Sequence, residues 1–522
     1  MLSNVSVPSC CLEAVLGSSV AKDGSWSTGH VANGYDLDDE SHPARPASPG
    51  PPSSAKWDEG TVLVDIHVQD GCITTIEPSV VPTSSKTALA SIIHRSRLKL
   101  PSLLTKLFPA LLPGRVDCEE AFTLPTFVDL HTHIDKGHTA ERSTNTLGSL
   151  SGADRSTAAD AAFWSAADVE QRMEFSLKCA YAHGTSALRT HLINMTAKHI
   201  ELTWPAFAKI RNRWKGRVEM QGVALVALSF FRDEAEATKL ADTVARYGGL
   251  LGAAVCCAEE GGSPTDDWTT CDADRDVLLD RIFTLAKERD LDLDFHTDEN
   301  GNEAAKGLRY VAEKTIQHGY EGRVVCGHCC SLAYQPPEEL AKTLDLARRA
   351  RITIVSLPLV NQWTQDRRYP ERTTPLWRGV TLLHEARDAG VAVAIASDNT
   401  RDQFYAYGDL DMLEVFNQGC RMAHLDRPYG SWINTVGSTP AAAMRLGAHD
   451  GTVGAKSHGI LRAGGGADFV VFPNARKYSE LLSRPQTDRI VVRKGRPIPD
   501  GLPAYRELDC VLRNDCECLD GK

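Results

Sequence analysis

Eight short apolar runs recur at residues 126–133, 186–191, 219–228, 250–258, 291–296, 323–328, 352–360 and 391–398. The segments between them are longer and amphipathic, with apolar positions returning every three or four residues. In residues 276–289, for example, Leu278, Ile282 and Leu285 share one face, and residues 303–318 carry a similar pattern. Eight alternating strand and helix units predict an α/β fold, a (β/α)8 barrel of the TIM type.

Both ends of the chain follow another rhythm. Residues 5–12 read as a short strand; residues 61–68 and 69–76 read as two strands joined at the Asp70-Gly71 turn, a hairpin. Between these, residues 41–52 are polar and proline-rich and cannot bury enough apolar surface to fold alone. A basic, leucine-rich helical stretch at 82–116 reads as an insertion. Beyond the barrel come helical segments near 410–424 and 432–446, then strand patterning at 467–472 and 488–495. Strands from both ends are expected to build one small β domain. The division is then 1–124, the N-terminal part of that domain; 125–454, the barrel; 455–512, its C-terminal part; and 513–522, a loose tail.

Composition narrows the function. A net charge of −11 disfavours nucleic acid and anionic membrane as partners, since both attract basic surfaces. No apolar run reaches the roughly 18 residues of a spanning helix, and the first 20 residues lack the basic start and apolar core of a signal peptide. Fifteen scattered cysteines fit a reduced compartment, so a cytoplasmic protein is expected. Cys10-Cys11, Cys256-Cys257 and Cys516-Glu-Cys518 have no partner pair at zinc-finger spacing and read as structural or incidental. Cys326-Gly-His-Cys329 has the spacing of a redox motif, but Val325 stands where such motifs usually carry Trp.

In a (β/α)8 barrel, functional groups stand at the C-terminal ends of the strands. Here the first strand ends in His131 and His133, which share a face because alternate residues do. The fifth ends in His296 with Glu299 close behind, the sixth in His328, and the eighth in Asp398-Asn399. Nitrogen and oxygen ligands converging on one mouth suit zinc or iron(II).

These residues carry a resemblance. Residues 127–136, Leu188-Arg-Thr-His191, His296-Thr-Asp-Glu299, residues 322–328, Leu357-Pro-Leu-Val-Asn361 and residues 396–402 resemble the cytosine deaminase and N-isopropylammelide hydrolase branch of the amidohydrolase superfamily. The resemblance implies one divalent metal, zinc or iron, held by His131, His133, His296 and Asp398. It implies catalytic roles for Glu299, His328 and Asp398, and contact with substrate for His191, Ala227, Asn399 and Phe404. The implied activity is hydrolytic C–N cleavage, the deamination of an amino-substituted nitrogen heterocycle by a homo-oligomer. Many relatives bridge two metals through a lysine on strand four; residues 250–258 contain none, which favours a single ion over the ring-opening type of site.

Departures qualify the substrate. Ala227 stands where cytosine deaminases carry a glutamine that reads the pyrimidine edge, and Asn399 stands where they have a second acid. Lys136 and Asn399 resemble the ammelide branch, whereas Glu299 resembles the cytosine deaminases, so neither named substrate carries over. Cyclic-amide ring opening and a non-catalytic barrel are the alternatives. The zinc deaminases of the other fold need a Pro-Cys-x-x-Cys that does not follow His199-Ile-Glu201.

Overall fold

In a computed structural model, residues 2–12, 61–79, 116–255, 274–368, 371, 373–426, 429–446 and 458–516 are described. The expected proline-rich segment, the 82–116 insertion up to residue 115, the end of the 250–258 run and the last six residues of the tail lie outside them.

The eight barrel strands are β1 (Phe127–Thr132), β2 (Thr185–Ile193), β3 (Glu219–Leu225), β4 (Leu251–Ala254), β5 (Leu293–Thr297), β6 (Val324–His328), β7 (Thr353–Ser356) and β8 (Ala392–Ile395). They are parallel and form two arcs, β1-β2-β3 and β4-β5-β6-β7-β8. Parallel bridges join the arcs on both sides, Val223 to Leu250 and Ala227 to Ala254 at one seam and Thr132 to Asp398 at the other. Every residue of β1 and of β2 is buried, as strands covered on both faces require.

Helices close the outer layer. Residues Leu150–Asp160 form α1 and Ala166–His183 form α2. The Ser165 hydroxyl accepts from the Asp168 amide at the start of α2, and Gly184, at φ 99°, ends it. A Cβ at Gly184 would lie 2.5 Å from Val470 Cγ2, so close packing also requires glycine there.

Strands from both ends make one further sheet. Its order is Arg496–Pro497, Ile490–Arg493, Phe469–Phe472, Phe122–Pro125, Leu2–Pro8, Thr61–Gln69, Cys72–Pro78, with Val116–Asp117 beside Leu2–Pro8. The turn between Thr61–Gln69 and Cys72–Pro78 holds Asp70 at φ 51° and Gly71 at φ 80°, the left-handed pair that a two-residue hairpin needs. Phe122–Pro125 runs through Thr126 straight into β1, so this sheet anchors the strand that carries the first two histidines. No helix among the described residues is long and apolar enough to cross a membrane.

Three expected elements are shorter or divided. The apolar run 352–360 splits into β7 and a helix, Pro358–Thr364, because Pro358 at the first helical turn lacks a strand-pairing N–H but suits helix entry. The helix expected at 303–318 spans Gly307–Gln317, since the Asp298 carboxylate takes the Gly307 and Leu308 amides at 2.7 and 2.9 Å and fixes the start there. The segment 432–446 breaks at Gly437 into a 3-10 turn, Ile433–Val436, and a short helix, Ser438–Ala443.

Candidate metal centre and its surroundings

At three strand ends the backbone turns sharply. Asp298, His328 and Asp398 adopt left-handed backbone at φ 55°, 69° and 66°, which breaks the strands and redirects their side chains. The Asp398 amide donates to the His131 carbonyl at 2.9 Å, and the His133 amide donates to the Asp398 carbonyl at 3.0 Å. These two bonds fasten the end of β1 to the residue that ends the β8 run.

The side chains meet closely. Asp398 Oδ1 lies 3.1 Å from His133 Nε2 and 3.7 Å from His131 Nε2, and His296 Nε2 lies 3.3 Å from His133 Nε2. His328 Nε2 stands 4.0 Å from Asp398 Oδ2. All are buried. Burial first, then the neighbouring histidines, holds His131 and His296 well below the usual histidine range; His133 is lowered by burial and by Lys136. Both nitrogens of His131, Nδ1 of His133 and of His296, and Asp398 Oδ2 have no hydrogen-bond partner. At 3.3 Å the two neutral imidazoles can share one proton between their Nε2 atoms, or both can turn a lone pair to a cation. The buried, unpartnered nitrogens and carboxylate oxygen together fit a divalent metal.

His191 lies in the same cluster. Its ring is 4.0 Å from that of His131, and a ligand atom of each of His131, His133, His191 and His296 falls within 4.8 Å of the others. Below it, His191 Nε2 is 3.2 Å from Asp294 Oδ1, while Asp294 Oδ2 accepts from Arg189 Nη1 at 2.7 Å. Arg189 also gives two N–H groups to Gln221 Oε1, at 3.1 and 2.9 Å, and one to the Ala443 carbonyl at 3.2 Å.

At the rim, Glu299 Oε1 is 3.4 Å from His328 Nδ1. Asn361, on the Pro358–Thr364 helix, donates from Nδ2 to Glu299 Oε1 at 3.3 Å and to His328 Nδ1 at 3.0 Å. With Nδ1 accepting, the His328 proton sits on Nε2 and points toward Asp398. Burial, and then the Asp398 charge, drives the Glu299 carboxyl well above the usual range, which favours the protonated form, a hydrogen-bond donor.

A cationic wall faces this rim. Lys136 Nζ pairs with Asp402 Oδ2 at 2.7 Å and lies 4.0 Å over the Phe404 ring. Asn399 Nδ2 donates to the same Asp402 oxygen at 2.8 Å. Gln403 then ties three loops together: its Oε1 accepts from Thr139 and from Thr157 of α1, and its carbonyl accepts from Asn145. Beyond Asp402 and Gln403 opens a cavity of about 450 Å³, bounded by Asn145, Trp363, Arg367 and Tyr407. Ala227 sits past the end of β3, half-buried and bridged to Ala254.

The fold thus collects His131, His133, His191, His296, Glu299, His328, Asp398, Asn399 and Phe404 around one mouth. Sequence reasoning gave no role to Asn361, Lys136 or Asp402, although all three stood inside quoted motifs. Cys326 lies within β6 rather than at a helix start, and burial pushes its thiol and that of Cys329 upward, away from the reactive thiolate.

Residues 245–499 match the amidohydrolase family. A pterin deaminase of Rhizobium rhizogenes is 43% identical over 455 residues, covering 87% of this chain and 92% of that protein. An N-isopropylammelide isopropyl amidohydrolase of Pseudomonas sp. is 26% identical over 305 residues, 57% of this chain and 68% of that one. Among solved structures, 5-methylcytosine deaminase from Klebsiella pneumoniae liganded with phosphonocytosine superposes with TM-score 0.65 at 19% identity, covering 84% of this chain and 95% of the other. N-isopropylammelide isopropylaminohydrolase from Burkholderia multivorans gives TM-score 0.61 at 22% identity, covering 84% and 94%.

Proposed function

Because this chain belongs to the amidohydrolase family and deaminates a nitrogen heterocycle by hydrolysis, we propose that its substrate is a pterin, a fused ring carrying an amino group between two ring nitrogens and a neighbouring carbonyl. The 43% identity to a pterin deaminase across nearly the whole of both chains supports the ring system. The observation that carries the chemistry is Glu299, held 3.4 Å from His328 beside the histidine and aspartate cluster.

His131, His133, His296 and Asp398 would hold a divalent metal, which when bound would supply an activated water at neutral pH. Glu299 gives its proton to a ring nitrogen of the amidine unit, which makes the amino-bearing carbon electrophilic. Asn361 holds the Glu299 carboxyl and the His328 ring in register for that transfer. His328, with Nδ1 satisfied, presents Nε2–H to the oxygen that attacks. Asp398 Oδ2, which has no hydrogen-bond partner, takes the proton that the water loses and returns it to the departing ammonia. As the oxo group forms, the hydroxyl gives up its remaining proton, which restores Glu299; water is consumed, the C–N bond breaks, and the amine leaves as ammonia.

One ion per chain is part of this proposal, because β4 offers no lysine to bridge a second. So are zinc or iron as its identity, a cytoplasmic location and a homo-oligomeric state; metal analysis, fractionation and light scattering test them. Ammonia release is the direct assay, across pterin, cytosine, isoguanine, creatinine, ammelide and N-alkyl ammelides. Pterin is expected to be best, and cytosine poor because Ala227 offers no amide to its edge. Faster turnover of cytosine or an ammelide than of pterin overturns the assignment.

A further inference from the structure

Helix α1 follows the first barrel strand and carries an acid where its pattern wants an apolar residue. Leu150, Ala153, Asp154, Thr157 and Ala161 fall within about 100° of the helix circumference, and the other four are buried. Thr157 of this stripe donates to Gln403 Oε1, so the face is turned toward the loop that carries Asp402 and Phe404. Asp154 Oδ2 is buried and has no hydrogen-bond partner, and among the described residues Asp154 makes no ion pair. Its charge reaches both Glu299 and Lys136. Burial raises it to about 7, with Lys136 opposing. A buried carboxylate oxygen left without a donor is costly, and the donor it lacks can come from a ligand.

We propose that Asp154 reads the substrate, accepting a hydrogen bond from the ring N–H beside the amino-bearing carbon while Lys136 donates to the adjacent carbonyl. The inference rests on the pterin reading and names the residues that recognise this edge. Lys136 has donors to spare: its ammonium carries three N–H groups, and Asp402 takes one. Glu299 then serves the opposite ring nitrogen. The two nitrogens flanking the amino carbon are thus told apart, one meeting an acceptor and the other a proton donor. In a 4-aminopyrimidine such as cytosine the amino-bearing carbon is flanked by a bare ring nitrogen and a C–H, so with Glu299 on that nitrogen Asp154 is left unpaired.

The test compares pterin with 3-methylpterin, in which a methyl replaces the ring N–H, on metal-loaded wild type, Asp154→Ala and Asp154→Asn. Wild type is expected to favour pterin by a hundredfold or more in kcat/KM. Asp154→Ala should lose ten- to a hundredfold on pterin, through KM more than kcat, and its preference over 3-methylpterin should fall below about tenfold. Asp154→Asn, whose amide oxygen still accepts, should restore part of both and covers the case in which the alanine variant folds poorly. Metal content should match wild type throughout. An unchanged pterin to 3-methylpterin ratio in the folded variants overturns the role of Asp154 and leaves the pterin assignment standing. A wild type that turns over no 2-amino-4-oxo ring overturns both.

Discussion

Asp294→Ala is expected to destabilise the protein strongly and to reach the mouth only through His191. Asp294 and Arg189 lie inside the barrel with no side-chain exposure, and their 2.7 Å contact joins β5 to β2. Removing one partner of such a pair leaves a buried charge uncompensated, at about 3–5 kcal/mol. Gln221 and the Ala443 carbonyl still accept from the guanidinium, which places the expected cost at the lower end, about 3 kcal/mol. Urea unfolding of metal-loaded protein measures it, compared at a common slope. Arg189→Met combined with Asp294→Leu removes both charges and should recover at least about 1 kcal/mol over Asp294→Ala, because a buried ion pair is often no better than an apolar pair of similar volume. Metal content should also fall in Asp294→Ala, since His191 Nε2 loses the carboxylate 3.2 Å away. A cost under about 1 kcal/mol, or a double variant as costly as the summed singles, refutes the account.

Other substitutions separate the parts of the site. Glu299→Gln keeps shape and removes the proton, so turnover should drop by about 10²–10⁴ at wild-type metal content; loss of the metal would make Glu299 a ligand instead. Asn361→Ala deletes the donor shared by Glu299 and His328 and should cost roughly ten- to a hundredfold in kcat with metal retained. His133→Ala should lose metal and activity together, and chelator-treated wild type should regain activity on adding zinc or iron(II), as elemental analysis and ammonia release will show. Gly327→Ala would set a methyl 2.9 Å from His131 Cε1 and should weaken metal retention although no ligand is removed; unchanged metal affinity would show that the ring has room to move.

The strands were legible because their patterning is local and the histidines close them. His131 and His133 share a face by parity alone, and Asp398 follows a run whose end marks the mouth. The 352–360 run misled because apolar residues continue past β7 into the helix that Pro358 begins, and hydrophobicity cannot distinguish the two. The start at Gly307 depended on Asp298, nine residues upstream, acting as its cap. Lys136 and Asp402 are separated by 266 residues, so no spacing rule connects them. Asp154 left a faint trace, an acid within the inward stripe of a mostly polar helix. His191 lies on the same face of β2 as Arg189, and its place among the other histidines depends on how the neighbouring strands are staggered, which a single sequence does not encode.

The seam between β1 and β8 sets an order of events during synthesis. His133 and Lys136 are made early, whereas Asp398 and Asp402, their partners across the seam, come some 266 residues later, a wait of roughly 13–53 s at common ribosomal rates. Until then β1 has one neighbour, and its two histidines face a mouth that has no carboxylate to complete it. Nascent chains arrested before residue 398 should therefore hold a divalent ion weakly and remain open to proteases along the exposed edge of β1. Release of the last barrel strand closes the ring and brings Asp398 against the histidines in the same step.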